Sequence, residues 1–355
     1  MYKHNFSAGP CILPQEVFSE ASKSLLNFNN LNLSVIEISH RSTDFIEVMD
    51  EATLLTKELL NIPDDYSVLF LQGGASLQFL MVAINLMKEN GRAVYLDTGT
   101  WSSKAIKEAE LFGKTSVIAS SKEKNYSYIP KNYTIPSDAD YFHCTSNNTV
   151  YGTQLKEFPD CSINFVCDMS SDIFSRKIDI SKFDLIYAGA QKNLGPAGAT
   201  LVIINNEVLG FSKRKIPTML DYNTHVNKKS MFNTPPVFSV YVSMLNLRWL
   251  KKNGGVSWAE AKNLEKSKLL YDCIDSNQLF TGTVKKEDRS VMNATFKLNE
   301  TKLEDKFNLM LKENGINGLK GHRSVGGYRA SMYNAMGLDS INILIEIMNN
   351  LEKKA

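Results

Sequence analysis

Phe183-Asp-Leu-Ile-Tyr-Ala-Gly-Ala-Gln-Lys-Asn-Leu-Gly-Pro-Ala-Gly198 is the stretch on which the fold turns. The apolar run 185–188 reads as a short buried strand. Small residues end it, and Lys192 follows. Gly195, Pro196 and Gly198 then punctuate a turn rather than extend a helix. Residues 199–204 read as a further strand. A lysine in a turn between two buried strands admits two readings. It is a solvated loop lysine, or its amine is held against a pocket by the sheet.

In the second reading the amine attacks a carbonyl and holds pyridoxal 5′-phosphate as a Schiff base. That chemistry needs an acid for the ring nitrogen, a cradle for the phosphate and a flat surface for the ring.

The chain has 355 residues, enough for two domains. Hydrophobic residues make up 43% and charged residues 22%, the composition of an ordinary globular protein. A net charge of +2 gives no reason to expect nucleic acid or an anionic membrane as a partner. Five scattered cysteines form no CxxC pair and no cluster with histidine, so neither a metal site nor a disulfide framework is expected. Free thiols fit a reducing cytoplasm. The first ten residues lack the apolar centre of a signal peptide. The apolar stretch 68–87 is interrupted by Gln72, Gly73, Gly74, Gln78 and Asn85, which rules it out as a membrane span.

In chain order, 5–14 reads as an ordered extended arm, and Pro14 opens a helix over 15–28. His40 and Arg41 lie in a polar loop before a helix over 44–60. Read alone, they are a solvated pair or an anion contact, since a guanidinium matches carboxylate and phosphate oxygens. Strand 67–71, then Gln72-Gly-Gly-Ala-Ser76, then a helix over 75–88 present free backbone N–H groups to a phosphate. The motif matches neither GxGxxG nor GxxxxGK[ST]. Strand 93–97 leads through Trp101, which is partial core or a stacking surface. Strand 141–144 runs into the polar loop 145–152, and such loops lie where ligands bind in open α/β sheets. Strand 163–168 ends in Asp168, which either caps the next turn or pairs with a cationic ring nitrogen. Asp168 precedes Lys192 by 24 positions, so neighbouring strand ends would place both at one sheet edge. Residues 213–227 show little regularity. A long helix ends at Lys252 before Gly254-Gly255, and 258–274 reads as a helical bridge. A strand at 292–298, a helix over 302–314, the segment holding His322, Arg323 and Arg329, and a helix over 340–353 complete the chain.

With these residues lined up, the chain resembles the phosphoserine aminotransferases, a branch of the class V (fold type I) pyridoxal-phosphate aminotransferases. The resemblance spans nearly the whole chain. It is carried by Asn5-Phe-Ser-Ala-Gly-Pro10, Ile38-Ser-His-Arg41, Gln72-Gly-Gly-Ala-Ser76, Tyr187-Ala-Gly-Ala-Gln-Lys-Asn193 with Gly195-Pro-Ala-Gly198, Ser230-Met-Phe-Asn-Thr-Pro-Pro236, and Gly321-His-Arg323 with Gly326-Gly327 and Arg329-Ala-Ser331.

The resemblance implies an α/β fold. A large domain, 16–255, would hold a mainly parallel sheet between helices. Residues 1–15 and 256–355 would form a smaller α/β domain with the N-terminal arm. It also implies that Lys192 carries the Schiff base and moves a proton, that Asp168 pairs with the ring nitrogen and that Trp101 stacks on the ring. Thr149 would contact the ring hydroxyl. Ala75, Ser76 and Gln191 would hold the phosphate, joined by Asn233 and Thr234 of a second subunit in a homodimer with shared active sites. Arg329 would bind the α-carboxylate, and His40, Arg41, His322 and Arg323 the distal anion.

The implied reaction moves the amino group of L-glutamate to 3-phosphooxypyruvate, giving O-phospho-L-serine and 2-oxoglutarate for serine biosynthesis. Some members also act on 4-phosphohydroxy-L-threonine in vitamin B6 synthesis. Two cationic clusters suit such small anionic amino-acid and 2-oxo-acid substrates better than the alanine or serine of a glyoxylate aminotransferase. Retention of Lys192 and Asp168 disfavours a silent scaffold. Some relatives carry a further basic residue after the His-Arg pair, where this chain has Ser42, Thr43 and Asp44.

Overall fold

The computed structural model describes residues 4–354. Its centre is a seven-stranded sheet. Six strands follow the apolar runs in the sequence: β2 (Tyr66–Leu71), β3 (Arg92–Asp97), β5 (Tyr141–Thr145), β6 (Asn164–Asp168), β7 (Leu185–Gly189) and β8 (Thr200–Asn205). Strand β4 (Lys114–Ser120) lies at one edge, and β8 runs antiparallel between β2 and β7. The order is β2-β8-β7-β6-β5-β3-β4, with every pairing from β7 to β4 parallel. Strands β5 and β7 are buried at every position, which is why they read as unbroken apolar runs rather than alternating ones.

Helices cover both faces. α1 (Gln15–Leu26), α2 (Thr43–Leu60) and α6 (Val237–Lys252) pack on one side, α3 (Gly74–Leu86) and α4 (Thr100–Ala109) on the other. Ser42 caps α2 by accepting from the Phe45 N–H, and Asn61 ends that helix in the left-handed region. Gly254, at φ +107°, turns the chain from α6 directly into α7 (Gly255–Ser276).

A second layer has its own core, which joins Phe6 to side chains from 270 to 351. It holds β9 (Phe280–Gly282), β10 (Asn293–Leu298), α8 (Glu304–Glu313), β12 (Tyr328–Ser331) and α9 (Leu338–Lys353), with β12-β10-β9 as an antiparallel sheet. The N-terminal arm is tied to it, because β1 (His4–Asn5) pairs in parallel with β11 (Ile316–Asn317).

The structure departs from the sequence reading in several places, since β1, β9, β11 and β12 were not read as strands. β4 was not anticipated: its run is short, polar and half-exposed, as an edge strand can be. Residues 213–227 are not irregular throughout. α5 (Tyr222–Asn227) forms there, with Asp221 accepting from the Asn223 N–H at 2.9 Å. Helix α7 starts at Gly255 rather than at 258, because left-handed Gly254 completes the turn within one residue.

One buried acid organises the entry to α4. Asp97 accepts from Ser102 (3.1 Å), Ser103 (3.0 Å), Ser120 (2.9 Å) and Tyr126 (3.1 Å), with no cation in ion-pair range among the described residues. Ser102 Oγ in turn accepts from the Thr98 and Gly99 N–H groups, both at 3.0 Å, and so fixes the turn that presents Trp101. Asp97→Ala removes the shared acceptor from the Ser120 and Tyr126 hydroxyls and leaves Ser102 and Ser103 the Gly99 carbonyl. The expected cost is about 3 kcal/mol, read as a lower urea midpoint at unchanged slope.

Candidate active site

The parallel strands place their carboxyl ends at one edge, and there lies a cavity of about 370 Å³. Asp168 ends β6 and pairs in register with Tyr187 of β7, and Lys192 follows three residues beyond the end of β7. Both line the cavity, as the spacing on neighbouring strands predicts. Trp101 at the start of α4, Thr149 after β5, Gln191, and Ala75 and Ser76 at the start of α3 line it too. From the second layer come His322 and Arg329, and from the arm Ala8 and Gly9.

Lys192 is 8% exposed, and its amine donates to Thr149 Oγ1 at 2.7 Å. Burial pulls it down to about 8 against the attraction of Asp168, and the Arg329 charge lowers it further. An amine that is partly neutral near pH 8 is a nucleophile and a base. Asp168 does cap its turn, accepting from the Ser170 N–H at 2.9 Å. Burial raises its carboxyl above the usual range, while Ser170 and Lys192 pull the other way. A buried carboxylate so placed is short of a cation.

Helix α3 begins without a side-chain cap, so its first N–H groups open toward the cavity. Gly73 and Gly74 both have positive φ, and a Cβ on Gly74 would meet nothing within 4 Å. The helix start is therefore both uncapped and spacious, as an anion cradle requires. Gly9 approaches from the other side. A Cβ there would lie 3.4 Å from Lys192 Cγ, at φ +145°.

Arg329 is half-buried. It donates to the Thr149 carbonyl at 3.0 Å, and its Nε has no partner. Burial lowers its pKa. His322 is lowered by burial and then by the charges of Arg329, Arg323 and Lys104. Lys104 also stands over the Trp101 ring, 4.8 Å from its centroid.

The cavity does not gather all the residues singled out in the sequence. His40, Arg41, Arg323, Asn233 and Thr234 do not line it. Asn233 donates to Gln72 Oε1 at 3.3 Å, and the Thr234 carbonyl accepts from Gln72 Nε2 at 2.6 Å, beside the glycine pair. Arg41 is exposed and in no ion pair among the described residues. Conversely, sequence reading assigned no role to Ala8 or Gly9. The prolines around them signalled an ordered arm, but the tertiary ties that bring it to the cavity, the β1–β11 pairing and the Tyr333 hydroxyl on the Ala8 carbonyl, join distant segments.

The family model for class-V aminotransferases matches residues 3–344. The chain belongs to the class-V aminotransferase family. A phosphoserine aminotransferase of Flavobacterium psychrophilum is 63% identical over all of both chains. Another, of Flavobacterium johnsoniae, is 61% identical, also over all of both. Among solved structures, phosphoserine aminotransferase from Bacillus circulans subsp. alkalophilus superposes with a TM-score of 0.96 at 43% identity, covering 99% of each chain. The pyridoxal-phosphate-bound enzyme from Trichomonas vaginalis superposes with a TM-score of 0.92 at 35% identity, covering 98% of this chain and 100% of that one.

The cavity of this family member fits pyridoxal phosphate on its own features. The buried amine would meet the aldehyde, the buried Asp168 carboxyl would meet the ring nitrogen, and the uncapped start of α3 would meet the phosphate. Among the described residues no cluster of His, Cys, Asp and Glu could hold a metal ion, and no helix is long and apolar enough to cross a membrane.

Proposed function

We propose that the chain transfers the amino group of L-glutamate to 3-phosphooxypyruvate, in two half-reactions, giving O-phospho-L-serine and 2-oxoglutarate for serine biosynthesis in the cytoplasm. The observation that carries this reading is the buried Lys192 amine facing the same cavity as Asp168 and Arg329, in a chain 63% identical to a phosphoserine aminotransferase. Bound in that cavity, pyridoxal phosphate supplies the electron sink for the pair left when the substrate loses its Cα proton.

This chain's residues do the rest. Arg329 holds the α-carboxylate and so aims the Cα–H bond at Lys192. Lys192 Nζ, oriented by Thr149 Oγ1, takes the proton and later returns one. Asp168 supplies the negative charge that keeps the ring nitrogen protonated, and Trp101 covers one ring face and excludes water. Ala75, Ser76 and Gln191 hold the phosphate at the head of α3. His322 takes the distal anion. A dianion beside it favours the imidazolium against the burial that now disfavours it.

A second copy of the chain completes the site in this reading. Asn233 and Thr234 would join the phosphate cradle, and His40, Arg41 and Arg323 the distal anion. The support is that all five lie outside the single-chain cavity, with Arg41 exposed and unpaired among the described residues. We divide the chain into a large domain at 16–255 and a small one formed by 1–15 and 256–355, with the cavity between them.

The test is a visible absorbance titration of the pyridoxal-phosphate-loaded protein, with its mass fixed by sedimentation. The expected result is a dimer whose absorbance band O-phospho-L-serine bleaches and L-alanine leaves in place. A band that both bleach equally removes the distal-anion assignment. A band absent after cofactor is added removes Lys192, and a monomer that still responds removes the shared site.

A further inference from the structure

Lys266 of α7 is 1% exposed, and among the described residues no carboxylate lies within ion-pair range of it. Lysine is almost never so buried without a partner. Its amine donates to the carbonyls of Met332 (3.0 Å) and Tyr333 (2.8 Å). A neutral amine has two N–H groups, and two carbonyls satisfy both; an ammonium would have a third. Burial pulls this amine down to about 7, which agrees with the neutral form. One turn earlier on the same face of α7, Asn263 donates to Asn334 Oδ1 at 2.8 Å. The two side chains thus grip three consecutive residues, 332–334.

What they grip is the exit of β12, the strand that carries Arg329. From there the contacts run to the Lys192 loop. The Asn334 N–H donates to Asn193 Oδ1 at 3.0 Å, next to Lys192, and the Tyr333 hydroxyl donates to the Ala8 carbonyl at 2.8 Å, on the cavity wall. Asn334 Nδ2 also donates to the Phe174 carbonyl at 3.0 Å, and Asn193 Nδ2 to that of Ile173 at 3.1 Å, on the segment that leaves Asp168. Phe174 is buried at φ +59°, a conformation that an aromatic residue keeps only where its surroundings over-determine it. Segments bearing Asp168, Lys192 and Arg329 therefore meet at one junction, and Lys266 is its charged-type member on α7.

We propose that Lys266 is a positioning residue: by holding 332–333 it sets where Arg329 stands relative to Lys192. The proposal rests on the reading of Arg329 as the α-carboxylate arginine. It has a distinctive signature. The α-carboxylate is common to every amino-acid and 2-oxo-acid substrate, so a displaced Arg329 weakens all of them alike. Displacing a distal-anion residue would weaken them unequally.

The experiment compares holoenzyme variants Lys266→Met, Lys266→Gln and Asn263→Ala in KM, kcat and melting temperature, with L-glutamate and with O-phospho-L-serine. Lys266→Met is expected to raise both KM values by the same factor, about tenfold, with a smaller fall in kcat. Lys266→Gln keeps two N–H donors without a charge and is expected to return both KM values to within about twofold of wild type. Asn263→Ala, which loosens 334 and leaves the amine in place, is expected to raise both about threefold. It serves if the Met variant does not fold. A lowered melting temperature with unchanged KM in these variants would reduce Lys266 to a structural role and overturn the proposal, as would a rise for one substrate only. If wild type does not turn over O-phospho-L-serine, the proposed function falls. Lys266 is then judged on L-glutamate and 2-oxoglutarate, which share the α-carboxylate.

Discussion

Lys192→Ala is expected to lower turnover by about ten-thousandfold, the upper range for a positioned proton-transfer group. It should also release pyridoxal phosphate on dialysis, because the covalent hold is gone. Steady-state rates and cofactor content by absorbance measure the two effects separately. Retained turnover within about tenfold would remove Lys192 from the chemistry. The same amine sets a pH dependence. Its pKa is lowered from 10.5 to about 8, chiefly by burial, so the neutral, reactive fraction grows as pH rises through about 8. Attachment of pyridoxal phosphate to the cofactor-free protein should therefore speed up across that value and then level off. For an unburied lysine the rise would continue to about 10.4. Stopped-flow absorbance over a pH series distinguishes the two curves.

Asp168→Asn should be nearly as damaging and for a different reason. The amide oxygen can still accept from the Ser170 N–H, so the turn after β6 survives. What disappears is the negative charge at the ring nitrogen, and kcat is expected to fall about a thousandfold, comparable to losing a preorganised electrostatic partner. Stability supplies an independent readout. Burial outweighs the attraction of Lys192, so the carboxyl has a pKa raised above its unfolded value. The folded state then holds its proton more tightly, and stability falls as pH rises through that interval. At neutral pH the cofactor-free protein carries that penalty and the Asn variant does not. Wild type should thus gain more melting temperature from pyridoxal phosphate than Asp168→Asn does. Equal gains in calorimetry would mean that Asp168 does not meet the ring nitrogen.

Much of the site was legible because its elements are local. A buried parallel strand is an unbroken apolar run, and the residue that ends such a run sits at the ligand edge of the sheet. Asp168 and Lys192 were placed by that rule alone, and the register of β6 on β7 agrees. The glycine pair before α3 was legible for a similar reason, since a strand, two glycines and a helix start are neighbours in sequence and the glycines supply the left-handed turn found there. Polar, half-buried pieces were not legible. β4 alternates poorly because neither of its faces is fully buried, and α5 is too short for a periodic pattern to stand out.

By itself, then, the sequence determined the apolar strands of the large sheet, its longer helices, the lysine turn and the acid that ends the preceding strand, because each depends on neighbours a few residues away. Only the tertiary structure decided which distant segments share the cavity. The arm reaches Lys192 through the β1–β11 pairing, across more than 300 positions of chain. Asn233 and Thr234 are drawn to Gln72 rather than into the cavity. Lys266, which reads in sequence as one more charged residue on a helix, turns inward, where the Met332 and Tyr333 carbonyls beyond the end of β12 accept from its amine. Burial of a polar group is settled by whether a partner waits in the interior, and the partner lies 66 residues away along the chain.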